Sequence, residues 1–493
     1  MLTIYPLKKD FTEGARSGSL SPVYAELPFV PPQQLYQNLE GPYTALLESI
    51  KGPEKIARYS FIGVRPCLVF KVKKGEVEEV SKGKRLLSSA HPLRRLRTVM
   101  YRYKITAPEC LPPFVGGAVG MLGYDFVHYL ERLPCTAVDD IHIPDAHFMI
   151  FDTTIAFDHA RRKTWIISCP GAEEAVNETT LHIDQWGTYY DRACEKIHGL
   201  YETVARTKPP VGRAPGRRGI RIGHEMGKIH YMDIVRRAKE YIKAGDIFQA
   251  NLSQRVSAGI KDIHPWELYK TLSRINPSPF AAYLNMDSYC IASSSPERLV
   301  RVSGSSVDTR PIAGTRPRGK NEESDVLMRT ELLLNEKERA EHLMLIDLER
   351  NDLGKISDYS TVEVDELMIT EDYSHVIHIV SNIKGIMAKG RDCFDAIKAT
   401  FPGGTITGVP KVRCMEIIDE LEPVVRGPYT GSIGYISFTG DMDLNIVIRT
   451  FVITNNVAYV QAGAGIVADS DPEKEYYETL KKAEALIKTL EDI

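Results

Sequence analysis

Apolar residues recur at helical spacing most clearly in the second half of the chain. In residues 230–244 they fall at Ile234, Ala238 and Tyr241, and Gly245 provides a stop signal. The same periodicity predicts further helices over residues 325–348, over residues 410–421 and near the end of the chain. The last of these has the clearest start, because Ser470 and Glu473 form a capping box and Pro472 suits the first turn.

Runs rich in β-branched and aromatic residues predict strands between these helices. The strands are predicted at residues 67–72, 148–157, 247–256, 376–383, 431–438 and 446–453. The glycine-rich residues 116–123 are interpreted as punctuation between strands. Helices that alternate with strands predict an α/β or α+β body.

A change of composition divides the chain. From Lys208 to Arg221, proline, glycine and arginine replace the apolar periodicity, which is typical of a linker or a surface connection. No aromatic residues are interleaved with these arginines, which favours a solvated connector over a nucleic-acid patch. The sequence therefore predicts an N-terminal lobe (1–207), a connection (208–222) and a second region (223–493).

The composition excludes several classes of protein. The chain has 493 residues, of which 43% are hydrophobic and 26% charged, and its formal net charge is −3. No run approaches the roughly 18 apolar residues that a membrane span requires. The small net charge gives no general attraction to nucleic acid or anionic lipid. We therefore expect neither nucleic acid nor membrane as a partner.

Cysteine usage and the first residues predict a cytoplasmic protein. The eight cysteines are scattered singly, without a CxxC pair or zinc-ligand spacing, as is typical of reduced thiols. The run MLTIYPLKKDFTEG is interrupted by Lys8, Lys9 and Asp10, so it lacks the apolar core of a secretory signal.

Carboxylates on two predicted helices are candidates for a metal site. Glu475 and Glu478 stand three residues apart on one helical face, with Lys482 one turn later. Glu341 lies in the predicted helix of residues 325–348, where a charged solvent face is the ordinary interpretation. Together with waters and a ligand carboxylate, the three glutamates would suit Mg²⁺, which prefers hard oxygen donors.

A histidine and an arginine lie in predicted strands. His378 alternates with apolar neighbours, so it is either a satisfied core histidine or an acid/base group with a pKa near neutrality. Arg449 lies within an apolar strand, which is costly unless the arginine is paired, and a bidentate clamp on a carboxylate would pair it.

Two glycine-rich segments accompany these residues. FPGGTITGVPK, residues 401–411, is a turn that enters a helix; it is not a Walker A loop, because Val409 follows Gly408. QAGAGI places Gly463 and Gly465 at the end of a predicted strand, as a tight turn or as a close approach of backbone to a ligand.

Taken in this order, these segments resemble the chorismate-utilising enzymes, most closely component I of anthranilate synthase and of its sister, aminodeoxychorismate synthase. The resemblance rests on ALLESIKGPEKIARYSFIG, GDIFQANLSQR, SSSPERL, TRPIAGTRPRG, KERAEHLMLIDLERNDLG, FPGGTITGVPK, MDLNIVIRT and QAGAGIVADSDPEKEYYET. It implies a large two-lobed sandwich of antiparallel sheets flanked by helices. It also implies one site where chorismate binds with Mg²⁺, ammonia adds to the ring and, in anthranilate synthase, pyruvate is eliminated as tryptophan biosynthesis begins.

The resemblance also implies roles for individual residues. The implied catalytic residues are His378, which does acid/base work in the elimination, and Thr405. The implied metal-associated residues are Glu341, Glu475 and Glu478. The implied substrate-binding residues are Gly314, Thr315, Tyr429, Arg449, Gly463, Gly465 and Lys482.

Ala313 bears on the choice between the sister activities. Many aminodeoxychorismate synthases resemble this chain but read PIKGT, with a lysine nucleophile, whereas the chain reads PIAGT, as anthranilate synthases do. FQANLSQR and DLERNDLG look more like the aminodeoxychorismate branch, which remains the alternative. Isochorismate and salicylate synthases typically carry a water-activating lysine near Ala250. A non-catalytic chorismate or tryptophan sensor would have little need for the full metal and acid/base set.

The resemblance further implies a regulator and a partner. LLES, which ends at Ser49, and NPSPFA correspond to a tryptophan pocket for feedback inhibition, although both could simply pack the lobe interface. Its implied residues are Ser49, Asn276, Pro277, Ser278, Pro279, Phe280 and Ala281, of which the last two replace a common Tyr-Met pair. No Cys-His-Glu glutaminase arrangement is evident, so we expect ammonia to be free or to come from a glutamine amidotransferase subunit, component II.

Overall fold

The computed structural model describes residues 2–207, 220–319, 321–372 and 376–493. Residues 208–219, most of the predicted connection, lie outside this range, and the domain boundaries stay a prediction. Every helix in the described ranges is too short or too polar to span a lipid bilayer.

Helices and strands are mixed along the whole described chain. The α-helices are α1 Lys8–Arg16, α2 Pro32–Tyr36, α3 Pro92–Tyr101, α4 Ala172–Val176, α5 Trp186–Arg206, α6 Lys228–Ala244, α7 Pro265–Ile275, α8 Glu322–Leu334, α9 Glu336–Gly354, α10 Cys393–Thr400, α11 Lys411–Leu421 and α12 Pro472–Glu491. Two short 3₁₀ segments lie at Tyr124–Tyr129 and Ile183–Gln185.

The strands alternate with these helices. They are β1 Val23–Pro28, β2 Thr44–Glu48, β3 Tyr59–Gly63, β4 Leu68–Lys73, β5 Glu76–Ser81, β6 Lys84–Ser88, β7 Gly117–Leu122, β8 Ala146–Phe151, β9 Thr153–Asp158, β10 Lys163–Ser168, β11 Ile222–His224, β12 Gln249–Gly259, β13 Phe280–Asn285, β14 Cys290–Ser295, β15 Arg298–Ser303, β16 Ser306–Arg310, β17 Ile312–Pro317, β18 Glu363–Asp372, β19 Val376–Ile386, β20 Gly408–Val409, β21 Ser432–Ser437, β22 Met442–Asn445, β23 Thr450–Thr454 and β24 Val457–Ile466.

The described strands form two antiparallel sheets. The first has the order β1-β10-β9-β3-β2-β13-β14-β23-β24-β12-β11, with β20 paired to β12. The second has the order β17-β19-β16-β15-β22-β21-β7-β8-β4-β5-β6, with β18 paired to β19. Each sheet contains strands from both sides of the 208–219 gap, joined where β2 pairs with β13 and where β7 pairs with β21. The expected sandwich of antiparallel sheets flanked by helices is confirmed.

A continuous apolar core lies between the two sheets. Phe61 of β3 and Tyr435 of β21 meet at 5.4 Å between ring centroids, and Phe114 packs 5.0 Å from Tyr435. The outer face of the first sheet is covered by helices, with Trp266 of α7 and Leu486 of α12 in a second core cluster. Burial of these large side chains is the main force that holds the layers together.

The predicted helix of residues 325–348 is wrong as a single element. α8 ends at Leu334 and α9 begins at Glu336, because Asn335 is extended and its side chain accepts a hydrogen bond from Glu338 N at 3.0 Å. The apolar periodicity continues through the break, so it did not reveal the cap. The cap of α12 also differs: Asp471, not Ser470, accepts the Glu473 and Lys474 amides.

One interpretation as punctuation and two strand predictions also need correction. Residues 116–123 contain the buried strand β7, where glycine is required because a Cβ at Gly120 would lie 2.1 Å from His147 O. The run 148–157 is two strands, β8 and β9, one in each sheet. The run 446–453 becomes a strand only at Thr450, after Arg449 adopts a φ of 52°. Arg449 therefore lies in a bend before β23.

Candidate active site

Two glycines of β24 let polar side chains of β12 and Tyr429 approach the backbone closely. A Cβ at Gly465 would lie 2.4 Å from Gln249 Nε2, and a Cβ at Gly463 would lie 2.3 Å from Asn251 Oδ1 and 2.8 Å from the Tyr429 hydroxyl oxygen. Both contacts are closer than real Cβ atoms show, so a larger residue at either position would displace these polar side chains. Polar side chains and bare backbone thus converge on one space.

Three buried side-chain oxygen atoms near β12, β24 and Gly314 have no hydrogen-bond partner among the described residues. They are Gln249 Oε1, Asn251 Oδ1 and Glu338 Oε2. An unsatisfied buried polar atom costs about 1–3 kcal/mol, so native proteins rarely keep one without a reason. Gln249 Oε1 and Asn251 Oδ1 lie on one face of β12, and Glu338 Oε2 lies beside Gly314. We call the region that these atoms border the cleft, and a polar ligand there would satisfy them.

Glu338 and Glu341 lie on α9, and Glu475 and Glu478 lie together on α12. Glu341 Oε1 accepts a hydrogen bond from Gln249 Nε2 at 2.8 Å, and Glu338 Oε1 accepts one from Arg316 at 2.7 Å. Burial, followed by the neighbouring Glu478, raises the pKa of Glu475. Carboxylates that repel each other in this way favour a cation between them.

The carboxylates alone do not enclose an ion. Within the described ranges, no three His, Cys, Asp or Glu side chains come close enough to hold a metal. Lys482 Nζ lies 2.9 Å from Glu478 Oε1, and both side chains are about half exposed. The donors fit Mg²⁺ in type, because it accepts one or two protein carboxylates and takes its other ligands from substrate and water.

His378 lies on β19 and faces β17. Its Nδ1 is 2.9 Å from Thr315 Oγ1 and 3.4 Å from the Gly314 carbonyl oxygen. Burial, followed by the positive charge of Arg449, lowers the pKa of His378 to about 3. The imidazole is therefore neutral in the ligand-free protein, and its role in acid/base chemistry stays a prediction.

Glu297 is a site residue that the sequence analysis missed. It precedes β15, is fully enclosed, and its Oε1 accepts a weak hydrogen bond from Ile312 N at 3.4 Å. Burial raises the pKa of Glu297 to about 7, although the Thr405 hydroxyl, the Ile312 amide and Arg449 all act to lower it. A buried carboxylic acid that keeps its proton near neutral pH can donate that proton to a reacting group.

Other expected residues lie close to Glu297, to His378 or to the glycines of β24. Thr405 lies in the glycine-rich turn after α10, close enough to Glu297 for its hydroxyl to influence that pKa. Arg449 is near enough to Glu297 and His378 to affect both groups. Gly314 has a φ of 63°, and a Cβ there would lie 2.4 Å from Glu338 Oε2. Tyr429 reaches the cleft at Gly463.

Strand parity decides which residue of β12 faces the cleft. Gln249 contacts Glu341 and Gly465, whereas Ala250 is fully buried in the core cluster. Successive side chains of a strand point to opposite faces. The β12 side chain that faces Glu341 is therefore Gln249, one residue before Ala250. An amide there holds a glutamate and does not activate water.

A separate cavity of about 650 Å³ lies between the sheets. It is lined by Ser49, Pro279, Phe280 and Ala281, four of the residues expected in an inhibitor pocket. Asn276 and Ser278 do not line it but support its wall through hydrogen bonds: Asn276 Nδ2 donates to Ser294 O and Ser278 O accepts from Ile50 N.

The family model for chorismate binding enzymes matches residues 43–488 of the chain. This chain belongs to the chorismate binding enzyme family. A protein named anthranilate synthase component 1 from Acetivibrio thermocellus is 43% identical over 455 residues, covering 91% of this chain and 90% of that protein. One named aminodeoxychorismate synthase component 1 from Bacillus subtilis is 42% identical over 448 residues, covering 90% of this chain and 91% of that protein.

A solved structure shares the fold of this chorismate binding enzyme. The crystal structure of anthranilate synthase component I from Streptococcus pneumoniae TIGR4 has a TM-score of 0.77 and 35% sequence identity. The similarity covers 93% of this chain and 97% of that one. Membership of the family and the sandwich fold are thus supported from sequence and from structure.

Adding a methyl group at Gly465 tests the cleft of this chorismate binding enzyme. In Gly465→Ala the Cβ displaces the flexible end of Gln249 and breaks its bond to Glu341. We expect kcat/KM for chorismate to fall about 100-fold, as misplaced catalytic groups commonly do, while the melting temperature barely changes. Gly259→Ala on β12 is the control, because a Cβ there meets nothing within 4 Å. Full activity of Gly465→Ala would remove Gln249 and Glu341 from the site.

Proposed function

We propose that this chorismate binding enzyme is component I of anthranilate synthase, which converts chorismate and ammonia to anthranilate, pyruvate and water. One observation carries the choice between the sister activities. Ala313 stands on β17 beside Gly314 and Thr315, where it offers no nucleophile, which favours direct attack of ammonia on the ring. The alternative is aminodeoxychorismate synthase component I, because the Bacillus subtilis relative of that name is 42% identical, nearly as similar as the relatives named anthranilate synthase component 1.

The first half of the reaction needs an acid. Ammonia forms a bond to C2 of the ring, the double bond shifts, and the C4 hydroxyl departs as water after receiving a proton. Glu297 is the buried, protonated carboxyl in the cleft and has a pKa of about 7, which suits this proton transfer. In this proposal Thr405 and the Ile312 amide orient Glu297 and steady the carboxylate left after the proton has gone.

The second half needs a base. The proton on C2 is removed, the C3–oxygen bond breaks, pyruvate leaves as its enol, and the ring becomes aromatic. His378 is the proposed base, and the contacts of its Nδ1 with Thr315 Oγ1 and the Gly314 carbonyl would orient the imidazole. The negative charge of bound substrate raises the basicity of a buried histidine, which offsets its low ligand-free pKa.

Binding of the dianionic substrate is assigned to the cations and amides around the cleft. Arg449 and Tyr429 are proposed to hold the enolpyruvyl carboxylate, and the backbone at Gly463 and Gly465 lets the ring approach β24. Glu341, Glu475 and Glu478, with Glu338 beside them, would hold Mg²⁺. When bound, this ion neutralises the carboxylates and polarises the ring carboxylate and the departing hydroxyl. Lys482 would partner Glu478.

Ammonia supply and feedback complete the proposal. A glutamine amidotransferase subunit, component II, would supply ammonia in a cytoplasmic complex. The cavity beside Ser49 and Phe280 would bind L-tryptophan: its aromatic residues offer ring contacts, while Arg298 and Arg301 can meet a carboxylate. Addition of component II should make glutamine a substrate, and tryptophan should inhibit turnover.

Product identity tests the proposal. Purified protein is given chorismate, Mg²⁺ and ammonium salt at mildly alkaline pH, with aminodeoxychorismate lyase added to half of the samples. We expect anthranilate and pyruvate in equal amounts with or without the lyase. para-Aminobenzoate that forms only with the lyase would assign the sister activity, and binding of chorismate without turnover would indicate a sensor.

Replacing His378 separates the two half-reactions. In His378→Gln the first half retains Glu297, but the C2 proton has no base, so we expect the aminated, non-aromatic intermediate to accumulate while anthranilate formation falls about 100-fold. Chromatography with mass spectrometry of quenched reactions measures both species. His342→Gln is the control, because His342 is buried against Ser381 Oγ at 2.7 Å and has no assigned role. Equal loss of both products in His378→Gln would contradict a role confined to the elimination.

A further inference from the structure

Arg298 lines the 650 Å³ cavity, and its neighbour Glu297 belongs to the active site. The Arg298 guanidinium makes a bidentate ion pair with Asp443, with both N–O distances at 2.9 Å, and lies 5.1 Å from the centroid of the Phe280 ring. Asp443 and Phe280 line the same cavity. A ligand there would therefore lie against this ion pair.

The backbone around Glu297 connects the wall of the cavity to the active site. The Glu297 carbonyl accepts a hydrogen bond from Ile446 N at 3.0 Å, and Asn445, one residue earlier, lines the cavity. The pairing of β15 with β22 shifts register between Arg298 and Val300. Such a bulge aims neighbouring side chains in directions that a regular strand does not allow. One short segment thus has Arg298 on the cavity side and Glu297 on the cleft side.

We propose that the Arg298–Asp443 ion pair positions Glu297, and that a ligand in the cavity controls the proton donor by competing for Arg298. A carboxylate is the ligand group suited to this, because it can replace Asp443 in the bidentate geometry of an arginine. The ligand class is an aromatic α-amino acid, whose ring would pack on Phe280 and Tyr435. The inference rests on the proposed function, and Arg298 acts only through Glu297.

Several groups face Glu297 and set the sign of the expected pH effect. Arg449 comes from the bend before β23, Thr405 from the turn after α10, and the Ile312 amide from β17; all three favour the ionised form. Glu349 on α9 is the nearby acid whose own pKa is raised by burial and by Glu297. If Glu297 moves away from Thr405 and Ile312, its pKa rises, and the alkaline limit of activity moves to higher pH.

The test uses Arg298→Lys, which keeps the charge but loses the bidentate geometry. We expect kcat to fall about tenfold, the KM for chorismate to stay within twofold, and the alkaline limb of kcat to move up by about half a pH unit. Calorimetry should still detect binding of tryptophan to Arg298→Lys. Saturating tryptophan should nevertheless leave most of the activity of this variant uninhibited. Asp443→Asn, which is isosteric, should behave in the same way and serves if Arg298→Lys does not fold.

Arg255→Lys is the control, because Arg255 is also a buried arginine paired with two carboxylates, Asp140 and Glu225. It should match wild type in kcat, pH profile and inhibition. Wild-type kcat, pH limb and inhibition in both Arg298→Lys and Asp443→Asn would overturn the inference. If the wild-type protein binds no tryptophan, both the proposed feedback inhibition and the proposed control by a ligand are contradicted. The kcat and pH measurements on the variants then decide whether Arg298 positions Glu297.

Discussion

Replacement of Glu297 by glutamine is expected to lower kcat about a thousandfold while the KM for chorismate changes little. The amide keeps the size of the side chain but cannot give a proton to the departing C4 hydroxyl, and general acids commonly contribute 10²–10⁴-fold. For the wild type, kcat should fall as the pH rises through the Glu297 pKa of about 7, because only the protonated form is a donor. Glu297→Gln should lose this alkaline limb.

The same substitution should stabilise the fold at alkaline pH. The unfolded chain ionises Glu297 near its ordinary pKa of 4.5, whereas the folded chain keeps the proton until about 7. Wild-type stability is therefore lost as the pH rises between these values, at about 1.4 kcal/mol per unit. We expect Glu297→Gln to be about 3 kcal/mol more stable than wild type at pH 8 and equal to it below pH 4, measured by urea unfolding.

Glu349→Gln is the matched control for Glu297→Gln. Glu349 is equally buried, burial raises its pKa well above 4.5, and its Oε2 lies 2.7 Å from Thr309 Oγ1. It does not face the cleft glycines, so its amide variant should keep kcat within about threefold. If Glu297→Gln retained wild-type kcat and Glu349→Gln did not, the proton donor would be Glu349.

The second large effect is expected at the glutamates of α9 and α12. Glu341→Gln and Glu478→Gln should each lower kcat about 100-fold and raise the Mg²⁺ concentration for half-maximal activity at least tenfold, because a carboxylate binds a hard cation far better than an amide. Titration of activity with Mg²⁺ at saturating chorismate measures both quantities, and circular dichroism checks the fold.

Glu473→Gln provides the comparison on the same helix. Glu473 is exposed and pairs with Lys228 at 2.6 Å, so its loss should leave the Mg²⁺ titration unchanged. If Glu478→Gln gave wild-type activity at limiting Mg²⁺, Glu478 would be excluded from the metal site. If Glu341→Gln did so, α9 would be excluded as well.

The sequence predicted the elements that have a strong local signal. The helix around Ile234 and its Gly245 stop are confirmed, since Gly245 has a φ of 83°. The spacing of Glu475 and Glu478, and the glycines of β24, were also visible in the sequence. The break at Asn335 could have been found, because an asparagine followed three residues later by Glu338 is a helix start signal. Continuous apolar periodicity hid it.

Other features depend on long-range pairing and have no local signal. In the sequence, Glu297 is indistinguishable from an ordinary exposed glutamate. Its pKa is raised, and it can act as a proton donor, only because the folded chain buries it near Thr405. Gln249 and Asn251 alternate with apolar residues, which is the pattern of a strand with one face in solvent. Only the pairing of β12 with β24 brings these two side chains to the cleft. The extended cavity wall at Arg298 likewise exists only when β15 pairs with β22.

The position of the new carbon–nitrogen bond tests the central claim most directly. Chorismate is incubated with ¹⁵N-labelled ammonium and Mg²⁺, and the aromatic product is examined by NMR for coupling between nitrogen and ring carbons. Attack by ammonia at C2 predicts the label on the carbon next to the one that bears the carboxylate. Label at the para carbon, or an unlabelled product, would contradict anthranilate synthesis in this cleft.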